Sequence, residues 1–231
     1  MASRKFATLA VVVILTALLF RCVTQHSLTV FNFVSSQKTV AIDPGHGTFD
    51  QGVVHEESGV AEGPINLAVS FKLRELLSNQ KYKVVLTRDK HTQEHEGNRR
   101  ELQRRVDLAT SSKADIFVSI HVNQFPDPQY FGAQCFYNPS NPESQKLAQL
   151  LQEELKVIDP ENFREALAQD LFVLRECPMP AVLVEMGFVS HPGDRAKLQD
   201  PRYQSEVAQA LARGIDRYFK GDALRQAPGY N

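Results

Sequence analysis

The chain has 231 residues, 42% of them hydrophobic, and a formal net charge of −1 at pH 7. That is ample apolar material for one folded domain with extensions. The near-neutral charge excludes a general attraction to polyanions, so no nucleic-acid partner is expected.

Arg4 and Lys5 precede an apolar run over 6–20, interrupted only by threonines. A basic head followed by a hydrophobic segment is the pattern of an export signal. The run is shorter than the roughly 20 residues of a comfortable membrane span. No small-x-small cleavage site follows it, so a cleaved signal peptide and an uncleaved signal anchor both fit residues 1–27. Arg21 directly before Cys22 disfavours lipid acylation there. The expected location is extracytoplasmic, either membrane-associated or released into the cell-wall space. Residues 28–38 read as a spacer, 39–220 as the folded domain and 221–231 as a disordered tail.

The folded part alternates between two periods. A strand is expected over 39–43, then a glycine-rich loop, then a helix over 64–79. The apolar residues Ile65, Ala68, Val69, Leu73, Leu76 and Leu77 of that helix recur at three and four. Pro64 suits a first helical turn. A strand over 83–87 and a polar loop lead to a helix over 98–110. There Arg99, Arg100, Arg104 and Arg105, interleaved with Glu101 and Asp107, read as a solvated helix face. Strands are expected over 115–120 and 133–137, and a helix over 143–157. The stretch 159–170 is ambiguous, while 171–174 and 181–184 read as strands. Pro201 opens a last amphipathic helix with Val207, Leu211, Ile215 and Phe219 on one face. Strands alternating with helices predict an α/β fold: a single three-layer domain, its mostly parallel central sheet flanked by helices. Cys22, Cys135 and Cys177 contain no Cys-x-x-Cys pair, so Cys135 and Cys177 are expected as buried small hydrophobes.

Three of the strands deliver a titratable residue at or just past their C-terminal ends, the edge where open α/β sheets bind ligands. His46 follows Thr39-Val40-Ala41-Ile42-Asp43, His121 ends Asp115-Ile116-Phe117-Val118-Ser119-Ile120, and Glu185 ends Ala181-Val182-Leu183-Val184. Glu62 stands at a helix start, where the positive helix end favours a carboxylate. Two imidazoles and a carboxylate form a Zn²⁺ ligand set, and a second carboxylate suits a general base. Asp43 is expected either to orient the His46 ring or to cap its loop. A carboxylate directly after four apolar residues is costly to bury without a partner, which singles out Glu185. The bland reading of Glu185 is an ion pair with an arginine or bonds to backbone N–H groups.

Together the segments Ile42-Asp43-Pro44-Gly45-His46-Gly47, Glu62 with Asn66-Leu67-Ala68, and Leu86-Thr87-Arg88-Asp89 resemble the zinc-dependent N-acetylmuramoyl-L-alanine amidases. Ala114 to Asn123 and Pro180-Ala181-Val182-Leu183-Val184-Glu185-Met186-Gly187-Phe188 extend the resemblance over roughly 39–220. Gly132-Ala133-Gln134-Cys135-Phe136-Tyr137-Asn138 looks most like the germination-specific, spore-cortex branch. The resemblance implies that His46, Glu62 and His121 hold Zn²⁺ and that Glu185 is the catalytic carboxylate. The implied partners are the stem peptide and glycan strand of peptidoglycan, and the implied reaction frees L-alanine from the muramoyl lactyl group. In the cortex branch this is a first step toward muramic δ-lactam. Thr48 and His191 depart from the family pattern, which often has Gly and Asn there.

Other readings compete. His91-Thr92-Gln93-Glu94-His95 fits the inverted zincin pattern, although it lies in a charged loop rather than on a helix. His55, Glu56 and Glu57 suit a polar surface loop or a second cation site. A vegetative amidase of cell separation would share the chemistry, and a non-catalytic wall-binding domain would share the fold. No wall-anchoring repeat is visible, so a membrane tether or an accessory protein is expected to deliver the substrate.

Overall fold

The computed structural model describes residues 37–47, 50–90 and 98–225. The export segment, Thr48 and the His91 to His95 motif lie outside these residues. Among the described residues, no helix is long and apolar enough to cross a membrane.

Six strands form one sheet: β1 Thr39–Pro44, β2 Lys83–Leu86, β3 Ile116–Asn123, β4 Gln134–Tyr137, β5 Leu167–Ala168 and β6 Ala181–Phe188. Their order is β2-β1-β3-β6-β4-β5. The first four in that order run parallel, β4 lies antiparallel on β6, and β5 is parallel to β4. The helices are α1 Glu62–Asn79, α2 Asn98–Ser111, α3 Pro142–Ile158, α4 Phe172–Glu176, α5 Pro192–Gln199 and α6 Pro201–Lys220. The expected three-layer α/β domain is the one observed.

Strand residues alternate between two cores. Val40, Ile42, Val118, Ile120, Val182 and Val184 face the larger core, with Leu73 and Leu77 of α1, Leu151 and Leu155 of α3, and Leu211 and Ile215 of α6. Ala41, Phe117, Leu183 and Phe136 face a smaller core closed by Val106 and Ala109 of α2 and Val173 and Leu174 of α4. On this second face the strands turn polar toward one edge. Ala41 gives way to Asp43, Phe117 to Ser119 and His121, Leu183 to Glu185, and Phe136 to Gln134. The candidate chemistry sits on that edge.

Helix starts follow local rules. Asn141, His191 and Asp200 accept backbone N–H bonds as N-caps of α3, α5 and α6, each followed by a proline. His191, the departure from the family pattern, therefore serves as a cap through Nδ1. Helix α6 ends at Gly221 in the left-handed conformation. Beyond it, Arg225 lies 2.7 Å from Glu154.

Three expectations are corrected. Residues 171–174, read as a strand, lie on α4 and its cap. A four-residue apolar run does not separate a strand from a buried helical turn. The α5 helix was not expected from periodicity, although His-Pro-Gly opens it as a cap followed by proline. Arg105, read as part of a solvated helix face, is buried at 3% exposure and paired with Asp43, while Arg99 and Arg100 are exposed. Cys135 and Cys177 are buried free thiols, as expected.

Candidate metal centre

The centre is built around Glu62, in the first turn of α1 and 2% exposed. Backbone groups hold the helix start: Glu62 N–H donates to Val53 O and Gly63 N–H to Gln51 O. The Glu62 carboxylate reaches across to the sheet edge. Its Oε1 accepts from the Val122 N–H at 3.0 Å and Asn66 Nδ2 at 3.1 Å, and lies 2.8 Å from His121 Nδ1. Its Oε2 accepts from the Val53 N–H at 3.0 Å and lies 3.3 Å from His46 Nε2. Burial pushes this carboxyl up, but the hydrogen bond and charge of His121, the charge of His46 and the Val53 N–H bring it down to about 2.

His46 lies in the loop after β1 with φ of 60°. Arg105 Nη2 donates to its carbonyl at 2.9 Å and Arg105 Nη1 to Pro44 O at 2.8 Å. Arg88, 5% exposed, donates to Pro44 O and Gly45 O at 2.8 Å and to Gly63 O at 3.1 Å. Two buried guanidinium groups thus hold the loop, Arg88 tying it to α1 through Gly63 and Arg105 tying it to α2. Asp43 neither orients the His46 ring nor caps the loop. It accepts from Arg105 Nη1 at 2.8 Å, Thr87 Oγ1 at 2.5 Å and Ser119 Oγ at 2.7 Å. The carboxylate beside the His46 ring is Asp50, 2.9 Å from Nδ1. That is the place of an orienting partner for an imidazole ligand.

His46, Glu62 and His121 bring one ligand atom each within 4.8 Å of one another. The imidazole planes stand at 80°, with centroids 5.0 Å apart. The backbone leaves no space to spare around them. A Cβ on Gly45 would overlap the His121 ring, and one on Gly52 would overlap the Glu62 carboxylate. Two imidazole nitrogens and a carboxylate oxygen fit a divalent transition-metal ion. Gly52 has φ of 71°, a conformation that disfavours any side chain. Gly52→Ala is therefore expected to weaken metal binding about tenfold or more, measured by competition with a chelator. An unchanged affinity would show that Glu62 is not held against the ion by this loop.

Glu185 pairs in register with His121 on one side and with Gln134 on the other, so all three side chains share one face. A bulge follows at once, because Asn123 faces Phe188. Glu185 makes no hydrogen bond or ion pair with any described residue, and its Oε2 is buried without a partner. Neither bland reading of this carboxylate therefore applies. Burial pushes it up to about 7, the charge of Glu62 adding to the effect and that of His121 opposing it. A carboxylate that titrates near neutrality beside a candidate ligand cluster is suited to moving protons. His121 is the opposite case: burial lowers it, but Glu62 and Glu185 hold it up overall.

His55 accepts from Ser58 in a local turn, with Glu56 and Glu57 exposed beside it. These residues do not join the cluster. Sequence reasoning missed Arg88 and Arg105 as loop supports. The signal available was Thr87-Arg88 at a strand end, where a cation near a carboxylate-bearing edge invites pairing.

The family profile described as N-acetylmuramoyl-L-alanine amidase matches residues 40–217. The germination-specific N-acetylmuramoyl-L-alanine amidase of Bacillus subtilis (strain 168) is 34% identical over 198 residues, covering 81% of this chain and 83% of that protein. The CwlD amidase of Clostridioides difficile, solved in complex with the GerS lipoprotein, is similar with a TM-score of 0.76 and 36% identity, covering 80% of this chain and 100% of that one. The catalytic domain of the CwlV amidase from Bacillus (Paenibacillus) polymyxa var. colistinus gives a TM-score of 0.73 at 34% identity, over 80% of this chain and 99% of that one.

Proposed function

We propose that this chain, which belongs to the N-acetylmuramoyl-L-alanine amidase family and is an amidase of peptidoglycan, works through a zinc ion held by His46, Glu62 and His121, with Glu185 as its catalytic carboxylate. The observation that carries this reading is the convergence of those three ligands within 4.8 Å, with Glu185 beside His121 in register. A divalent ion bound there supplies Lewis-acid polarisation of the lactyl amide carbonyl and lowers the pKa of water. The rest falls to the protein. Glu185 takes the proton of the attacking water and delivers it to the departing amine of L-alanine. Asn66 with the Val122 N–H fixes the Glu62 carboxylate, and Asp50 places a carboxylate 2.9 Å from His46 Nδ1. The products are a free lactyl carboxylate and a stem peptide with a free amino terminus.

The spore cortex is the substrate we infer, supported by the likeness to a germination-specific relative. There the freed lactyl group is the precursor from which another enzyme closes muramic δ-lactam. Vegetative cell separation is the alternative setting for the same chemistry. An accessory protein as partner is supported by the complex in which the similar C. difficile amidase was solved. We assign residues 1–27 to an export signal or anchor, 28–38 to a spacer, 39–220 to the catalytic domain and 221–231 to a tail.

The test combines metal analysis with mass analysis of fragments from purified glycan strands. His121→Ala is expected to lose both stoichiometric zinc and release of the amine, while His91→Ala keeps both. The reverse pattern would move the metal to the loop motif and end this assignment.

A further inference from the structure

We propose that Arg164 forms a carboxylate-binding subsite for the peptide stem, next to the hydrolytic centre. The inference rests on the proposed metal centre and names a determinant of its specificity.

Arg164 is half-buried and lies at the end of the row formed by His121, Glu185 and Gln134. Its Nη1 donates to Gln134 Oε1 at 3.0 Å, and its Nε donates to Phe131 O. Gln134 is the register partner of Glu185. The guanidinium stands over the Phe188 ring, 4.5 Å from its centroid, with Tyr130 and Phe163 at 5.6 and 5.9 Å. Its protein acceptors are neutral, and among the described residues no carboxylate lies within 4.0 Å of it. Asp194 acts on it only at longer range. The Asp194 Oδ2 is already committed to the N–H groups of Gly132 and Phe188. Burial lowers the pKa of Arg164.

A guanidinium that is partly desolvated, stacked and unpaired is poorly explained by stability alone. Arginine in such a setting is suited to forked recognition of a carboxylate. The aromatic rings hold the group flat and exclude water on one side, which strengthens a charged hydrogen bond to an incoming anion. Tyr130 and Phe163 remain largely exposed, so the platform is open to a ligand.

The spacing fits the substrate. His121 and Gln134 are separated by two strand intervals, about 10 Å, and Arg164 lies just beyond. An extended peptide rises about 3.3–3.6 Å per residue. A stem bound across the strand ends, with its scissile amide at the metal, brings carboxylates of its second or third residue to this distance. Arg164 is therefore assigned to an acidic group of the stem, and amidation of that group is expected to weaken the substrate.

The test uses the full chain loaded with metal. Muramoyl tripeptides are compared in four forms, with free or amidated carboxylates at the second and at the third stem residue. The wild type is expected to favour a free carboxylate at one of these positions about tenfold in kcat/KM, chiefly through KM. Arg164→Gln should bring that acid-to-amide ratio to about one, and Arg164→Lys should restore part of it. The position at which amidation matters identifies the group. A wild type that cleaves all four forms alike overturns the subsite and leaves the hydrolytic centre standing, as does an Arg164→Gln protein that keeps the full ratio. A wild type that binds metal and cleaves none of the four overturns the hydrolytic centre and the subsite with it. The wild-type comparison is decisive by itself, so the subsite stays falsifiable even with a variant that fails to fold.

Discussion

Glu185→Gln is expected to lower kcat by about 10²–10⁴-fold while leaving the metal in place, and to make the metal-free protein more stable above neutral pH. The first half follows from position. Glu185 lies beside the ligand cluster and outside it, so the amide isostere removes proton transfer without removing a donor to the ion. The second half follows from linkage. Burial raises this carboxyl from 4.5 to about 7. Below pH 4.5 the group is protonated in both folded and unfolded chains and matters little. As the pH rises toward 7 the unfolded chain ionises first, so stability is lost until the folded-state group also titrates. The wild type then carries a deficit of roughly 3 kcal/mol that glutamine avoids. A bound divalent cation favours the ionised form and shrinks the deficit, so chelator-treated protein is the sample to melt. Urea denaturation at pH 5 and pH 8 reads the effect. A gain from Glu185→Gln that does not grow with pH, or a variant that still releases amine at the wild-type rate, would contradict this account.

Asp43→Ala is expected to destabilise the protein by about 2–3 kcal/mol, because it removes the buried carboxylate that accepts from Arg105, whose ion pair with Glu101 offsets part of the loss. It also leaves the hydroxyls of Thr87 and Ser119 without the acceptor they share. Burial pushes the Asp43 carboxyl up, but Arg105, Thr87 and Ser119 outweigh it and hold the group below its ordinary 3.8. The stabilisation is therefore present above pH 3.8 and is lost as the pH falls through the depressed value. Arg105 also donates to the carbonyls of Pro44 and His46, so metal affinity should fall alongside stability. Arg105→Ala should resemble Asp43→Ala, and the double variant should cost clearly less than the sum of the two. Additive losses in that cycle would show that the pair is not an energetic unit.

Much of the architecture was legible from period and punctuation. The amphipathic α6 was visible because Val207, Leu211 and Ile215 repeat at four-residue steps and are all buried. The strands β1, β3 and β6 were visible as apolar runs ending in a polar residue. Helix α4 was not, since Leu171 to Leu174 carries no period long enough to choose between helix and strand. His46, His121 and Glu185 stood out because titratable groups closing apolar strands are unusual, whereas Glu62 suits any helix start and gained meaning only beside them. Their supports did not stand out. Arg105 sits in a run of cations that looks solvated along the chain, and only docking of α2 under Asp43 reveals which of them turns inward. Arg164 lay in the stretch 159–170 with no period at all, and its aromatic neighbours come from three separate segments. Local sequence carries the identity of such residues but not the long-range contacts that give them meaning.

The pairing of His121 with Glu185 across β3 and β6 also makes the protein a sensor of its own assembly. Side chains alternate at every step, so a slip of one position would turn one of the two toward the opposite core. A misaligned molecule would thus be catalytically silent from the moment it forms. On the proposed ligand set, ion uptake by a refolded sample then reports the alignment of β3, which carries His121, whereas amine release also requires β6, which carries Glu185, to be in register.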